Sequence, residues 1–270
     1  MGTRTDKLDF TGVRWGSVEW TLLVTLYLRA RESRLERPVL GDKAAADAVE
    51  RIDYNWSRMR LGAGPWGNQF LVALRAKQLD TWTADFLRRH PDAVVLHLGC
   101  GLDSRVFRLD PPATVQWFDI DQPHVIALRR KLYEDRDSYR MIGSSVTDPG
   151  WLDDIPADRP TAVVAEGLLP YLNEAEVQEL LRRITDRFES GEFSADVISQ
   201  WGPRASKLFA WGTRDGLVLE TWNPRLTYLE HTSALSGYEQ IPLRPQRALF
   251  RLLHAVKLIR DYDRLYRFRF

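Results

Sequence analysis

Apolar residues recur at spacings of three and four through the first ninety positions and in short continuous runs afterwards. That is a change from the helical to the strand period. Residues 17–34 place Trp20, Leu23, Val24, Tyr27 and Leu28 at helical spacing and predict a first helix. Residues 38–59, Ala-rich with Asp42 or Asp47 as the cap, predict a second. Gly62, Gly64, Pro65 and Gly67 mark a loop. Residues 69–89 predict a third helix with Phe70, Leu74, Leu79, Trp82 and Phe86 inward, stopped by His90-Pro91-Asp92. From Ala93 the chain predicts strands at 93–98, 115–120, 140–144, 162–165 and 193–199, with helices near 104–109, 123–133 and 174–189. Such alternation predicts a parallel sheet covered by helices on both faces. After Trp201 the pattern weakens, apart from a helix-like stretch at 246–260 and a final alternation of apolar and basic residues, Leu265 to Phe270. The latter reads as a strand with one buried face. The organisation expected is a helical cover over 1–92 and an α/β core over 93–270, with a cap around 201–260, forming one compact unit.

The run Val94-Val95-Leu96-His97-Leu98 ends in Gly99-Cys100-Gly101, and about twenty residues later Asp119 and Asp121 follow a second run. Strand, glycine turn, helix, strand and acid is the layout of a nucleoside site, in which a carboxylate accepts the ribose hydroxyls. The dinucleotide fingerprint is incomplete, because its third glycine falls at Ser104 and Asp103 stands beside it. A carboxylate there repels pyrophosphate but suits a nucleoside joined to a cation, as in S-adenosylmethionine (SAM). A nicotinamide-dependent oxidoreductase and a non-catalytic binding module are the alternatives of other classes.

Composition narrows the setting. The 270 residues are 44% apolar and 28% charged with a net charge of +1, ordinary for a globular protein and without a strong pull toward nucleic acid or acidic lipid. The single cysteine, Cys100, excludes an internal disulfide and fits a reducing compartment. Residues 1–10 do not read as a secretory signal, and no run reaches the roughly twenty apolar residues of a membrane span. A cytoplasmic protein with no nucleic-acid or membrane partner is the expectation. The Arg-rich run 29–37, interrupted by Glu32 and Glu36, reads as a solvated helix face. One cysteine and five scattered histidines give no metal-ligand spacing.

Four blocks in order, Leu98-Gly99-Cys100-Gly101-Leu102-Asp103-Ser104-Arg105, Phe118-Asp119-Ile120-Asp121-Gln122-Pro123, Ser144-Ser145-Val146 and Glu166-Gly167-Leu168-Leu169-Pro170-Tyr171-Leu172, resemble the leucine carboxyl methyltransferase family of class I SAM-dependent methyltransferases, in its bacterial branch. Leu74-Arg75-Ala76-Lys77-Gln78-Leu79-Asp80 matches upstream, and the similarity spans roughly residues 17–198. The resemblance implies a Rossmann-like, seven-stranded and mostly parallel sheet, a helical cover, a cap over the substrate site and an antiparallel C-terminal strand. It implies SAM as the methyl donor, with Gly99, Cys100 and Gly101 lining the cleft and Asp121 accepting the ribose hydroxyls. Asp119 is the competitor of Asp121, and the two are expected to point to opposite faces. Arg75 would pair with the carboxylate of SAM and Glu166 would lie near its ammonium group. Ser145 and Val146 would contact adenine, with Asp148 a weaker candidate, and Tyr171 would touch the methyl donor or the acceptor. Protein-directed members carry an N-terminal lysine near the cofactor carboxylate, whereas the matching helix here reads Trp20-Thr21-Leu22-Leu23.

An acceptor carboxylate, with a reference pKa near 4, needs orientation and no base, whereas a phenol near 10 needs one. The recognised blocks show no His–Asp arrangement to serve as that base, and His97 reads as a satisfied core histidine. The expectation is therefore a methyl ester formed on a small-molecule acceptor such as an aromatic polyketide. A peptide or protein C-terminal carboxylate or a phenol is the alternative within the class. Trp15, Trp20, Trp66, Trp211 and Trp222 are candidates for the acceptor wall.

Overall fold

The computed structural model describes residues 7–13, 18–57, 59 and 68–270. The cover begins with β1 (Leu8–Asp9) and α1 (Val18–Ser33). α2 (Lys43–Arg51) is capped by Asp42, whose carboxylate accepts the Ala45 N–H at 2.9 Å. The helix predicted over 38–59 is shorter than expected, because the chain turns extended at the β-branched Ile52 and forms β2 (Ile52–Asp53), paired in parallel with β1. α3 (Asn68–Arg89) runs beneath α1. The predicted loop glycines at 62, 64 and 67, and Ser17, Trp15, Pro65 and Trp66, lie outside the described residues.

The core then follows as β3 (Val94–Leu98), α4 (Arg105–Leu109), β4 (Gln116–Asp121), α5 (Pro123–Arg129), β5 (Tyr139–Gly143), β6 (Thr161–Ala165), α6 (Glu174–Arg187) and β7 (Gly191–Ile198). Two short helices, α7 (Gly202–Ala205) and α8 (Val218–Trp222), lead to β8 (Thr227–Ser233), α9 (Arg244–Ala255), α10 (Lys257–Arg260) and β9 (Asp263–Arg269). The seven strands from β3 onward pair in the order β5-β4-β3-β6-β7-β9-β8. The first five are parallel, while β9 runs antiparallel between β7 and β8. β3, β6 and β7 are buried along their whole length, as expected of strands covered on both faces. Val163, Phe118 and Phe193 pack toward α6 on one face, and Val95, Trp117 and Met141 toward the cover on the other. β8 escapes the sequence pattern because it is a mostly exposed edge with a bulge between Tyr228 and Glu230, so no buried face imposes alternation.

Strand order reverses between β3 and β6, the switch point at which ligands bind in sheets of this kind. Register makes that point specific. Leu98 pairs with both Ile120 and Ala165, and Ala165 pairs with Ala195. Gly99, Asp121, Glu166 and Asp196 therefore emerge in one row at the carboxyl edge of the sheet.

Candidate functional site

A cleft of about 540 Å³ opens over that row. Its floor is Gly99, Cys100 and Gly101; one wall is Asp121 and Ser144 to Val146, the other Glu166 to Leu168 and Pro170 to Leu172 with Asp196 and Ile198. The cover contributes Thr21, Leu22, Thr25 and Arg29 from α1 and Arg75 from α3. Gly99 and Gly101 have φ of +61° and +51°, and a Cβ on them would come within 3.0 Å of Leu168 and 2.9 Å of Leu22. Both glycines are thus required by backbone shape and by space. Cys100 is buried, and burial pushes its thiol pKa up, so it lines the floor as a neutral side chain.

The two acids of β4 divide by depth. Strand side chains repeat every second residue, so Asp119 and Asp121 share a face, contrary to the expectation of opposite ones. Asp119 is fully buried and accepts hydrogen bonds from Trp117 Nε1 at 2.9 Å and Tyr139 at 2.7 Å, with Arg129 and His97 as further partners. Burial works against its charge, but Arg129 and these hydrogen bonds hold its pKa at about 2. Asp121, at the strand end, lines the cleft and accepts the N–H groups of Gly101 and Gln122, each at 2.7 Å. Burial raises its pKa from the ordinary carboxylate value.

On the opposite wall Glu166 is buried among three guanidinium groups. Arg29 and Arg75 lie at 3.2 Å and Arg105 is in contact. Burial opposes ionisation, yet these cations hold the Glu166 pKa at about 2. Arg75 also reaches Asp196 at 3.3 Å and Asp263 at 3.4 Å. Burial pushes both carboxyls up, Asp263 to about 7 with the neighbouring Asp196 adding to the shift. The cluster continues away from the cleft: Arg105 bonds Asp80 at 2.7 Å, and Arg108 joins Asp42, Asp80 and Asp103. The cleft lining carries five carboxylates against two guanidiniums. That surplus of acid suits a cationic ligand and opposes a pyrophosphate, which removes the reason for the oxidoreductase alternative.

Arg29 was not singled out from the sequence, where its run reads as a solvated face. Arg29 and Glu32 are both buried instead. Glu32 accepts the N–H groups of Val39, Leu40 and Gly41, while Arg29 bridges Asp103 and Glu166. The signal available was the position of Arg29 one helical turn beyond Thr25 and two beyond Thr21 or Leu22, all on the cleft side of α1.

The remaining candidates separate clearly. Ser145 and Val146 line the cleft, and the Ser145 hydroxyl meets Thr147 at 2.7 Å. Asp148 instead caps a turn, accepting the Gly150 N–H at 3.0 Å. Tyr171 lines the cleft, stands edge-on to Phe209 at 5.4 Å, and hydrogen-bonds Thr21; burial raises its pKa, so its hydroxyl keeps its proton at neutral pH. None of Trp20, Trp211 and Trp222 lines the cleft; Trp211 and Trp222 pack with each other at 5.8 Å in the core. Among the described residues, Tyr171 and Phe209 are the phenyl rings that line the cleft. His97 is satisfied on both nitrogens, by Asp119 at 3.0 Å and Arg105 at 3.1 Å. His124 pairs with Glu19 at 3.1 Å on the rim beside Asp121. Among the described residues no group of three or more His, Cys, Asp or Glu is placed to hold a metal, and no helix is long and apolar enough to cross a membrane.

The strand order and the cleft at its switch point are those of the class I SAM-dependent methyltransferase fold. The crystal structure of a Thermobifida fusca YX protein superposes with a TM-score of 0.59 at 15% identity, over 90% of this chain and 93% of that one. The [4+2]-cyclase SpnF aligns with a TM-score of 0.50 at 14% identity, over 77% and 83%, so the fold alone does not fix the reaction. Sequence comparison does more. Residues 22–141 match the leucine carboxyl methyltransferase family. The chain is 43% identical over 269 residues to the tetracenomycin polyketide synthesis O-methyltransferase TcmP of Streptomyces glaucescens, covering 96% of this chain and 98% of that protein. It is 37% identical to the SAM-dependent methyltransferase dpfgK of Gibberella zeae, covering 87% and 88%. The chain belongs to the leucine carboxyl methyltransferase family, and it is a SAM-dependent O-methyltransferase related to TcmP.

Proposed function

We propose that the enzyme forms a methyl ester on a carboxylate of an apolar small-molecule acceptor of the polyketide type, with SAM held in the cleft between β3 and β6. A buried donor atom supports the fit of the cofactor tail. Arg29 Nε is buried without a hydrogen-bond partner, and Arg29 lines the cleft with Asp103, to which it is ion-paired at 3.2 Å. A zwitterionic amino-acid tail offers a carboxylate for the guanidinium and an ammonium group for the acids beside it. Arg75 and Arg29 would hold its carboxylate, for which a guanidinium fork is suited; Glu166 and Asp103 would face its ammonium group. Asp121 would accept the ribose hydroxyls in charge-assisted bonds. The backbone of Gly99, Cys100 and Gly101 would pass beneath the nucleoside, with Ser145 and Val146 at the adenine. When bound, SAM supplies a methyl group activated by the adjoining sulfonium.

What the chain itself contributes is placement, which in favourable cases lowers a barrier by roughly 7–11 kcal/mol. The observation that carries the ester reading is the composition of the acceptor side. Leu168, Pro170, Tyr171, Ile198 and Phe209 line it, and no histidine stands among them. His97 has both nitrogens engaged, and His124 lies at the Asp121 end with Glu19. An acceptor that is already ionised needs no base at that position. The protonated hydroxyl of Tyr171 is the donor we assign to orienting the acceptor carboxylate. The test uses SAM labelled in its methyl group with a panel of aromatic carboxylates and phenols. The expected product releases its label in mild alkali, as an ester does, and His124→Gln turns over as the parent. Label stable to alkali, as in a methyl ether, together with a loss of turnover in His124→Gln, would replace the carboxylate by a phenol.

A further inference from the structure

The stretch from Arg244 to Arg260 holds Arg244, Arg247, Arg251, Lys257 and Arg260 and no acidic residue, in a chain whose totals of 38 basic and 37 acidic residues nearly balance. Its apolar side chains are not all buried. Leu252 is 67% exposed and Leu258 70%, with Val256 at 48% and Ile259 at 41%. They cluster where α9 turns into α10, flanked by the exposed Arg251 and Lys257. Beside this corner lies a groove of about 610 Å³ lined mainly by Leu71, Leu235, Leu249, Phe250, Leu253 and Ile259. The corner is at the same end of the sheet as the cofactor cleft. α10 feeds directly into β9, whose first residue, Asp263, pairs in register with Ile198 at the cleft end of β7.

We propose that the α9–α10 corner docks the enzyme reversibly on an anionic membrane surface. Projecting leucines interleaved with cations are the pattern of an interfacial helix, whose apolar tips enter the acyl boundary while Lys and Arg meet lipid phosphates. Charge argues against a second copy of this chain as the occupant, since a twofold contact would set the exposed Arg244, Arg251 and Lys257 of one copy against those of the other. Shape argues for lipid over a protein ridge, because acyl chains accommodate side chains projecting to any outline. Docking in this way brings the carboxyl edge of the sheet, and with it the cleft, to the phase in which an apolar acceptor concentrates. The surface alone carries this inference, whatever group the acceptor presents for methylation.

The experiment is co-sedimentation of the full chain with vesicles of phosphatidylcholine alone and of an equal mixture with phosphatidylglycerol, at low and high salt. The mixed vesicles are expected to bind at least about tenfold more tightly, and the difference to shrink with salt. Leu252→Glu/Leu258→Glu and Arg251→Glu/Lys257→Glu are each expected to abolish binding, with the melting temperature and the affinity for S-adenosylhomocysteine unchanged. Absence of binding, equal binding to neutral vesicles, or variants that bind like the parent would overturn the proposal. A concentration-dependent dimer in sedimentation, lost in Leu252→Glu/Leu258→Glu and unaccompanied by vesicle binding, would overturn it in favour of self-association.

Discussion

Replacing Asp119 and Asp121 separately by alanine should injure two different properties, although the acids are two residues apart on one strand. Asp119→Ala removes a buried acceptor of four partners and leaves the Arg129 guanidinium, fully buried, without its carboxylate. Breaking a buried pair in this way costs about 3–5 kcal/mol. At about 2–4 °C per kcal/mol for a chain of this size, the melting temperature should fall on the order of 10 °C. Asp121→Ala removes a half-buried carboxylate whose backbone donors are Gly101 on the cleft floor and Gln122 at the exposed rim, and water entering the open cleft can replace it. The structural loss should stay near 1 kcal/mol. Affinity for the donor should suffer more, since hydrogen bonds to a charged acceptor are worth about 1.5–3 kcal/mol, a loss of at least tenfold. Thermal melts by circular dichroism and calorimetric titration with S-adenosylhomocysteine read the two effects independently. An Asp121→Ala variant that binds as the parent does would refute the assignment of the ribose to this acid. An Asp119→Ala variant that melts with the parent would refute its structural role.

Further outcomes follow from the same cluster. Arg75→Ala should weaken donor binding at least tenfold, about 1.4 kcal/mol, and Arg75→Lys should not restore it, because an ammonium cannot present the guanidinium fork; titration calorimetry decides both. The Asp263 pKa is raised in the folded chain to about 7, so its contribution to stability is whole below the unfolded value near 4 and is lost as the pH rises through 7. Melts between pH 5 and pH 8 should show that decline, and Asp263→Asn should flatten it; an unaltered slope in the variant would assign the decline to another group. Gly99→Ala forces a side chain into left-handed backbone beside Leu168 and should cost about 1–2 kcal/mol in a denaturant titration.

What the sequence revealed and what it concealed have physical reasons. β3, β4 and β6 are buried on both faces, so their apolar runs and the glycine turn stand out in the chain. The ends of β3, β4 and β6 then bring Gly99, Asp121 and Glu166 together. Arg29 remained hidden because a buried ion cluster leaves no apolar trace: a paired arginine and a solvated one are the same letter. Asp119 and Asp121 could not be ranked by alternation, since two residues along a strand return to the same face; depth at the strand end separates them. β8 and the exposed turn from α9 to α10 lack a buried face to impose a period.

The ion cluster also bears on how far the chain can be divided. Arg105 and Arg108, from the core, find Asp80 and Asp42 on the cover, while Glu166 finds Arg29 and Arg75 there. A fragment starting at residue 93 would keep the pairs of Arg105 with Glu166 and of Arg108 with Asp103 but lose Asp42, Asp80, Arg29 and Arg75, and would open the remaining cluster to water. The change of rhythm near that residue marks where the architecture alters, and a protein engineer seeking a minimal catalytic fragment would find no seam there to cut along.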